Sequence, residues 1–125
     1  MREIVKRTIL DLHRALDDDE LSKALLSWEL TNQNSLTRAF SLARERTGLR
    51  LTEALRGRLG QAFDGVELNA ILAILTAGVF YLTLRGDTVD EYNCIEISSN
   101  SGWERIAEAV ADLVDVRTGG QSATL

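Results

Sequence analysis

Apolar residues recur every three or four positions over most of this chain, and that period predicts one helix after another. Ile4, Val5, Ile9, Leu12 and Leu16 form the stripe of a first helix from Arg2 to Leu16. Asp17, Asp18 and Asp19 end it and open the next, because carboxylates cap exposed N-terminal amides and favour the positive end of the helix dipole. A second segment, Glu20 to about Gln33, carries Leu21, Leu25 and Trp28 on one face and Ala24, Leu26 and Leu30 around much of the rest. A helix apolar nearly all round is expected at the centre of a fold. Asn34 and Ser35 cap a third helix through Thr47, striped by Leu36, Ala39, Phe40 and Ala43, with Gly48 placed to stop it. A fourth runs from Arg50 to Leu59 and ends at Gly60.

The pattern then changes character. Asp64-Gly65 marks a turn, and Asp64 with Glu67 has the spacing of a capping box for a fifth helix reaching about Arg85. Leu68 to Leu84 carries no charge, but a membrane span needs about 20 apolar residues, and Asn69, Thr76 and Thr83 interrupt this run. A buried central helix is the expected reading, and no membrane contact is expected. Gly86 to Asn100 lacks helical periodicity and is expected as a long ordered loop. The alternation Cys94, Ile95, Glu96, Ile97, Ser98 is left without a strand to pair with. Ser101 and Glu104 repeat the capping-box spacing and open a last helix to about Val116, with Trp103, Ile106, Ala107, Val110, Leu113 and Val114 inward.

These elements predict an all-α, single-domain bundle of about six helices over residues 1–116, followed by a disordered tail at 117–125 that contains Gly119-Gly120. The chain has 125 residues and no proline, and 45% of it is hydrophobic against 26% charged, the balance of a folding domain. Its net charge of −5 argues against direct nucleic-acid contact, which draws affinity from clustered basic residues. Arg44, Arg46, Arg50, Arg56 and Arg58 do cluster, but Glu45 and Glu53 interrupt them, as on a solvated face. One cysteine excludes an internal disulfide, and no cationic segment with an apolar core opens the chain, so the cytoplasm is the expected compartment. Met1 leads straight into amphipathic sequence, which fits either a free-standing domain or one cut from a larger protein.

Catalytic chemistry is not expected. There is no glycine-rich phosphate loop, and His13 has no second histidine or cysteine beside it to share a metal, so no metal and no cofactor are expected. The run Asp17 to Glu20 lacks the alternating ligands and glycine turn of a calcium loop and reads as helix capping. Cys94 is neither at a helix N-terminus nor beside a base, and reads as an incidental thiol. Glu29 and Asn32 lie one turn beyond Leu25 and Trp28 on a helix expected to be buried, where a polar group must find a partner. That partner is an internal one such as Arg38 or Arg44, or else a ligand. Trp28, Phe40, Phe80 and Tyr81, with Asn32, form a candidate lining for an apolar cavity between helices, against the plainer reading of core packing.

Two stretches carry a family likeness: Trp28-Glu29-Leu30-Thr31-Asn32-Gln33-Asn34-Ser35-Leu36-Thr37, and Tyr81-Leu82-Thr83-Leu84-Arg85-Gly86-Asp87-Thr88-Val89-Asp90 leading to Ser101-Gly102-Trp103-Glu104-Arg105-Ile106. Together they resemble the C-terminal effector domain of TetR-family transcriptional regulators, over about Leu21 to Val114. Cys94 departs from the pattern, standing where relatives carry glycine after Asn93. The resemblance implies a repressor-type dimer in which an N-terminal helix-turn-helix reads DNA and the helical domain binds a small molecule that releases it. Nothing before Asp17 looks like that DNA-reading module, so it is expected to be missing from this chain.

The expected function is therefore ligand sensing and dimerisation, with a small apolar or amphipathic effector bound at Trp28, Asn32, Phe40, Phe80 and Tyr81. The expected homodimer interface uses Ala70, Ala73 and Ala77 of the fifth helix with Ile106, Ala107, Val110 and Val114 of the last. The alternative is a free-standing helical interaction domain without a small ligand.

Overall fold

The computed structural model describes the backbone of residues 1–60 and 67–123, with side chains for 1–60 and 67–115. Five helices and one short hairpin make up these residues: α1 (Arg2–Asp17), α2 (Glu20–Thr31), α3 (Ser35–Leu59), α4 (Leu68–Arg85), β1 (Glu91–Tyr92), β2 (Ile95–Glu96) and α5 (Asn100–Ala123). The fold is all-α, as the periodicity predicts, but with five helices rather than six. The expected third and fourth segments are one 25-residue helix, because Gly48 does not stop α3. A single interior glycine costs about 1 kcal/mol relative to alanine, which the packing of Leu51, Thr52 and Leu55 on the far side offsets. The Thr52 hydroxyl donates to the Gly48 carbonyl at 3.0 Å, inside the unbroken ladder. The true stop is Gly60, at φ 56°.

Several caps are those the sequence predicts. Asp19 accepts from the Ser22 amide at 3.2 Å and opens α2. Asn34 and Thr37 form a reciprocal capping box at the start of α3. Glu67, expected three residues inside α4, is instead its N-cap and makes no side-chain cap bond, while Asp64, Gly65 and Val66 lie outside the described residues. α5 opens one residue earlier than expected, from Asn100, and Ser101 bonds to Ser99 through their hydroxyls at 3.0 Å. Its backbone stays helical past Val116 to Ala123, through positions expected as a disordered tail. The side chains there lie outside the described residues.

The 86–100 segment holds the second departure from expectation. The Cys94–Ser98 alternation does have a partner: Tyr92 pairs with Ile95 and Glu91 with Glu96 in an antiparallel hairpin. Its two-residue turn is Asn93 (φ 53°) and Cys94 (φ 63°), both left-handed, the geometry for which Asn-Gly is the favoured pair. An L-residue other than glycine pays about 1–2 kcal/mol for that conformation. Cys94→Gly should therefore raise stability by about 1 kcal/mol, less the added flexibility of the unfolded chain. Differential scanning calorimetry should show a melting temperature a few degrees higher, and an unchanged or lower one would contradict the strain argument.

The core is a layer in which α1 lies between α4 and α5. Ile9, Val79, Trp103 and Ala107 are buried together, with Val5, Leu10, Leu12, Phe80, Leu82, Ile106 and Val110 packed against them. Arg2 fixes the start of α1 to α5 through Glu108 at 2.5 Å, Asp112 at 2.6 Å and Asp115 at 2.9 Å, and Lys6 adds a second bond to Glu108. At the other end, Lys23 is buried among Asp17, Glu20 and Asp87, at 3.4, 3.0 and 3.1 Å. Its ammonium is held well above the usual lysine range, chiefly by Glu20 and then by Asp87 and Asp17.

Neither helix expected at the centre is central within the chain. On α2, Leu21 and Leu30 are exposed, and on α4 only Leu68, Val79 and Thr83 are buried. The reason is one of layers: α1, with α3 and α5 beside it, covers one side of α4, and the opposite side, with Ala70, Ala73, Ile74 and Ala77, is exposed.

Candidate functional site

The residues expected to line one cavity do not come together. Trp28 and Phe40 form an edge-to-face pair with ring centroids 6.5 Å apart, fixing α2 to α3. Asn32 is exposed at the C-terminus of α2, where its amide donates to the Trp28 carbonyl at 3.1 Å. Tyr81 faces the hairpin and packs edge-to-face on Tyr92 at 5.8 Å. Only Phe80 borders an interhelical opening. Helical spacing explains the miss, because Phe80 and Tyr81 are adjacent and point about 100° apart.

Glu29 does behave as the sequence suggests. Its side chain is 5% exposed and its Oε2 pairs with Arg44, one of the two expected internal partners, while Ser41 lies at 3.4 Å. His13, read from sequence only as an isolated histidine, is buried at the junction of three elements. Its ring stacks on Trp103 at 3.7 Å and 12°, and its Nδ1 lies 2.9 Å from the Thr83 hydroxyl. That hydroxyl directs its own proton to the Val79 carbonyl at 2.7 Å, so Nδ1–H is the donor to it. Burial pushes the His13 pKa below the ordinary histidine value. With Trp103 Nε1 donating to the Ile97 carbonyl at 2.9 Å, these bonds tie α1, α4 and α5 to the end of the hairpin.

Three adjoining spaces lie beneath α3. On its α1 side is an opening of about 590 Å³ bordered by Ile4, Arg7, Thr8, Ala54 and Arg58. On its α4 side is one of about 540 Å³ bordered by Arg44, Thr52, Leu72, Ala73 and Phe80. A narrow apolar neck of about 70 Å³ lies between α1, α3 and α4, with Ile9, Leu68, Leu75 and Val79 on its walls. Leu12 and Leu51 line all three spaces, so the neck adjoins both openings across these two side chains. Each opening has the volume of a small-molecule site. In sequence these leucines are indistinguishable from core; the one hint is that Leu51, Leu55 and Leu59 repeat at four-residue spacing on a helix otherwise rich in arginine.

The expected interface residues divide by helix. Ala70, Ala73 and Ala77 are exposed on one face of α4, together with Ile74, which is 75% exposed, and Tyr81. On α5 the expectation needs correction. Ala107 is completely buried against Ile9, Val79 and Trp103, and so has no surface to offer another chain. Ile106 and Val110 pack on the same core, and Val114 borders the channel neck. That stripe is used by α1, and among the described residues of α5 the large apolar side chain left exposed is Leu113. Among the described residues no group of histidine, cysteine, aspartate and glutamate is arranged to hold a metal ion. Searches against protein-family models, characterised proteins and solved structures find no match to this chain.

Proposed function

We propose that this chain is the ligand-sensing and dimerisation domain of a TetR-like transcriptional regulator, acting in the cytoplasm by binding rather than by catalysis. A small apolar or amphipathic effector taken up beneath α3 would control DNA reading by a helix-turn-helix module of the kind found in the resembled family. The observation that carries this reading is α4. It is long and apolar enough to cross a membrane, yet three of its residues, Leu68, Val79 and Thr83, are buried in the protein core. A helix fixed on one side by a core and bare on the other needs a covering for the bare side. Ala70, Ala73 and Ala77 keep that face shallow, so a second copy of the helix approaches closely across a two-fold axis, patch on its own copy. The neighbouring channel supplies an effector site within the same layer of helices.

Multi-angle light scattering at micromolar concentration tests the proposal. A mass of twice 13.8 kDa is expected. A monomer that stays in solution without detergent would defeat the dimer, and a chain soluble only with detergent would favour a membrane covering instead.

A further inference from the structure

We propose that the channel beneath α3 binds a long-chain fatty acid, its hydrocarbon chain threaded past Leu12 and Leu51 and its carboxylate held between Arg7 and Arg58. This names the effector class for the sensing role proposed above and rests on it.

The chemistry of the neck sets the body of the ligand. Its walls are aliphatic, and its two polar side chains, Thr8 and Thr76, have no proton to offer. Thr8 donates to the Ile4 carbonyl at 2.7 Å and Thr76 to the Leu72 carbonyl at 2.7 Å, each within its own helix. Ligand acceptors such as carbonyl or ether oxygens would find no donor there, at a desolvation cost that a hydrocarbon chain avoids. The neck is also too narrow for a ring system and adjoins wider space on two sides across Leu12 and Leu51, which suits a linear chain.

The two mouths differ in a way that sets the head group. At the α4-side mouth, Arg44 is engaged by Glu29. At the α1-side mouth, Arg7 from α1 and Arg58 from α3 face one opening, and neither has an ion-pair partner among the described residues. Glu3 and Asp11 border the same mouth one turn either side of Arg7 without pairing to it. Two unpaired guanidinium groups from different helices, at the end of an aliphatic channel, complement a carboxylate on an alkyl chain.

The test uses the whole chain and sodium salts of saturated fatty acids from C8 to C16, below their micellar concentrations, with isothermal titration calorimetry. Affinity should rise by about fourfold per added methylene until the channel is filled, and then level off. The primary alcohol of equal length should bind about fivefold more weakly, the size of an exposed ion pair, and Arg58→Glu should erase that difference. Ala54→Trp places an indole in the α1-side mouth at an exposed position, so the fold is retained, and binding should fall by at least tenfold. No saturable binding, equal binding of acid and alcohol, or indifference to Ala54→Trp would overturn the proposal. Light scattering on the same samples separates the two readings. A dimer that binds no fatty acid defeats the ligand class alone, whereas a monomer that binds one keeps the channel and defeats the regulator dimer.

Discussion

Ala77→Glu should turn the dimer into a soluble monomer. Ala77 is exposed within the protomer, so glutamate there disturbs no intrachain contact and helical content should stay unchanged by circular dichroism. In the proposed dimer the same position lies against the partner's α4, near the two-fold axis, and the substitution buries two like charges without a cation nearby. Leaving a buried carboxylate unpaired costs about 3–5 kcal/mol, a rise of about two to nearly four orders of magnitude in the dimer dissociation constant. At micromolar concentration the scattering mass should fall to 13.8 kDa. Ala24→Glu, at an exposed site on α2, is the control and should keep the wild-type mass. A dimer that survives Ala77→Glu would place the interface elsewhere.

Gly102→Ala should cost about 3 kcal/mol, at the top of the usual range for overpacking, although it adds one methyl group to a helix. A Cβ on residue 102 would stand 1.8 Å from the Glu96 carbonyl oxygen and 2.5 Å from its carbon. These are backbone atoms, tied into the hairpin by the pairing of Glu96 with Glu91, so no rotamer relieves the clash. The hairpin must lift from α5, which breaks the bond from Trp103 Nε1 to the Ile97 carbonyl and opens the stack of Trp103 on His13. Urea denaturation should show a lower midpoint, and Trp103 emission should shift to the red. Gly57→Ala is the opposite case. Nothing lies within 4 Å of a Cβ there and the residue is inside α3, so the exchange should stabilise by about 1 kcal/mol. A Gly102→Ala protein as stable as the wild type would mean that the hairpin does not sit on α5.

Helix existence was legible in the sequence because it depends on local signals: the 3.6-residue period, Asp19 and Asn34 as caps, Gly60 as a stop. What faces what was not. Leu21, Leu30 and Ile74 have the composition of a core and the position of a surface, since the period of a stripe does not say whether a neighbour covers it. The same ambiguity separated Ala107 from Ala77: both belong to small-residue stripes, but α1 covers one while the other is exposed. Gly48 misled because a glycine ends a helix only where the next turn has something better to do, and Leu51 and Leu55 hold α3 straight by packing below it. Glu29 was read correctly as a buried polar group seeking a partner one helix away, because a buried carboxylate constrains its surroundings more than a buried methyl does. The channel escaped notice altogether. A cavity is a failure of packing among residues that each look suited to a core, and no single position in the sequence encodes it.

The clamp between Arg2 and the α5 carboxylates bears on how the chain is made. The apolar side of α1 finds its main cover in α5, which begins at Asn100, so α1 is synthesised well before it is sheltered. At about 5–20 residues per second, Val5, Ile9 and Leu12 wait on the order of 5–20 s on a ribosome before Trp103 and Ala107 emerge. Bringing such distant ends together costs roughly 4 kcal/mol of loop entropy for a closure of about 100 residues. The opposite charges of Arg2 and Lys6 against Glu108, Asp112 and Asp115 give that late encounter a direction, aligning the two helices while their apolar faces are still apart. Until then the nascent chain presents a greasy helix to whatever is nearby, and its yield in a cell depends on what shields α1 during that interval.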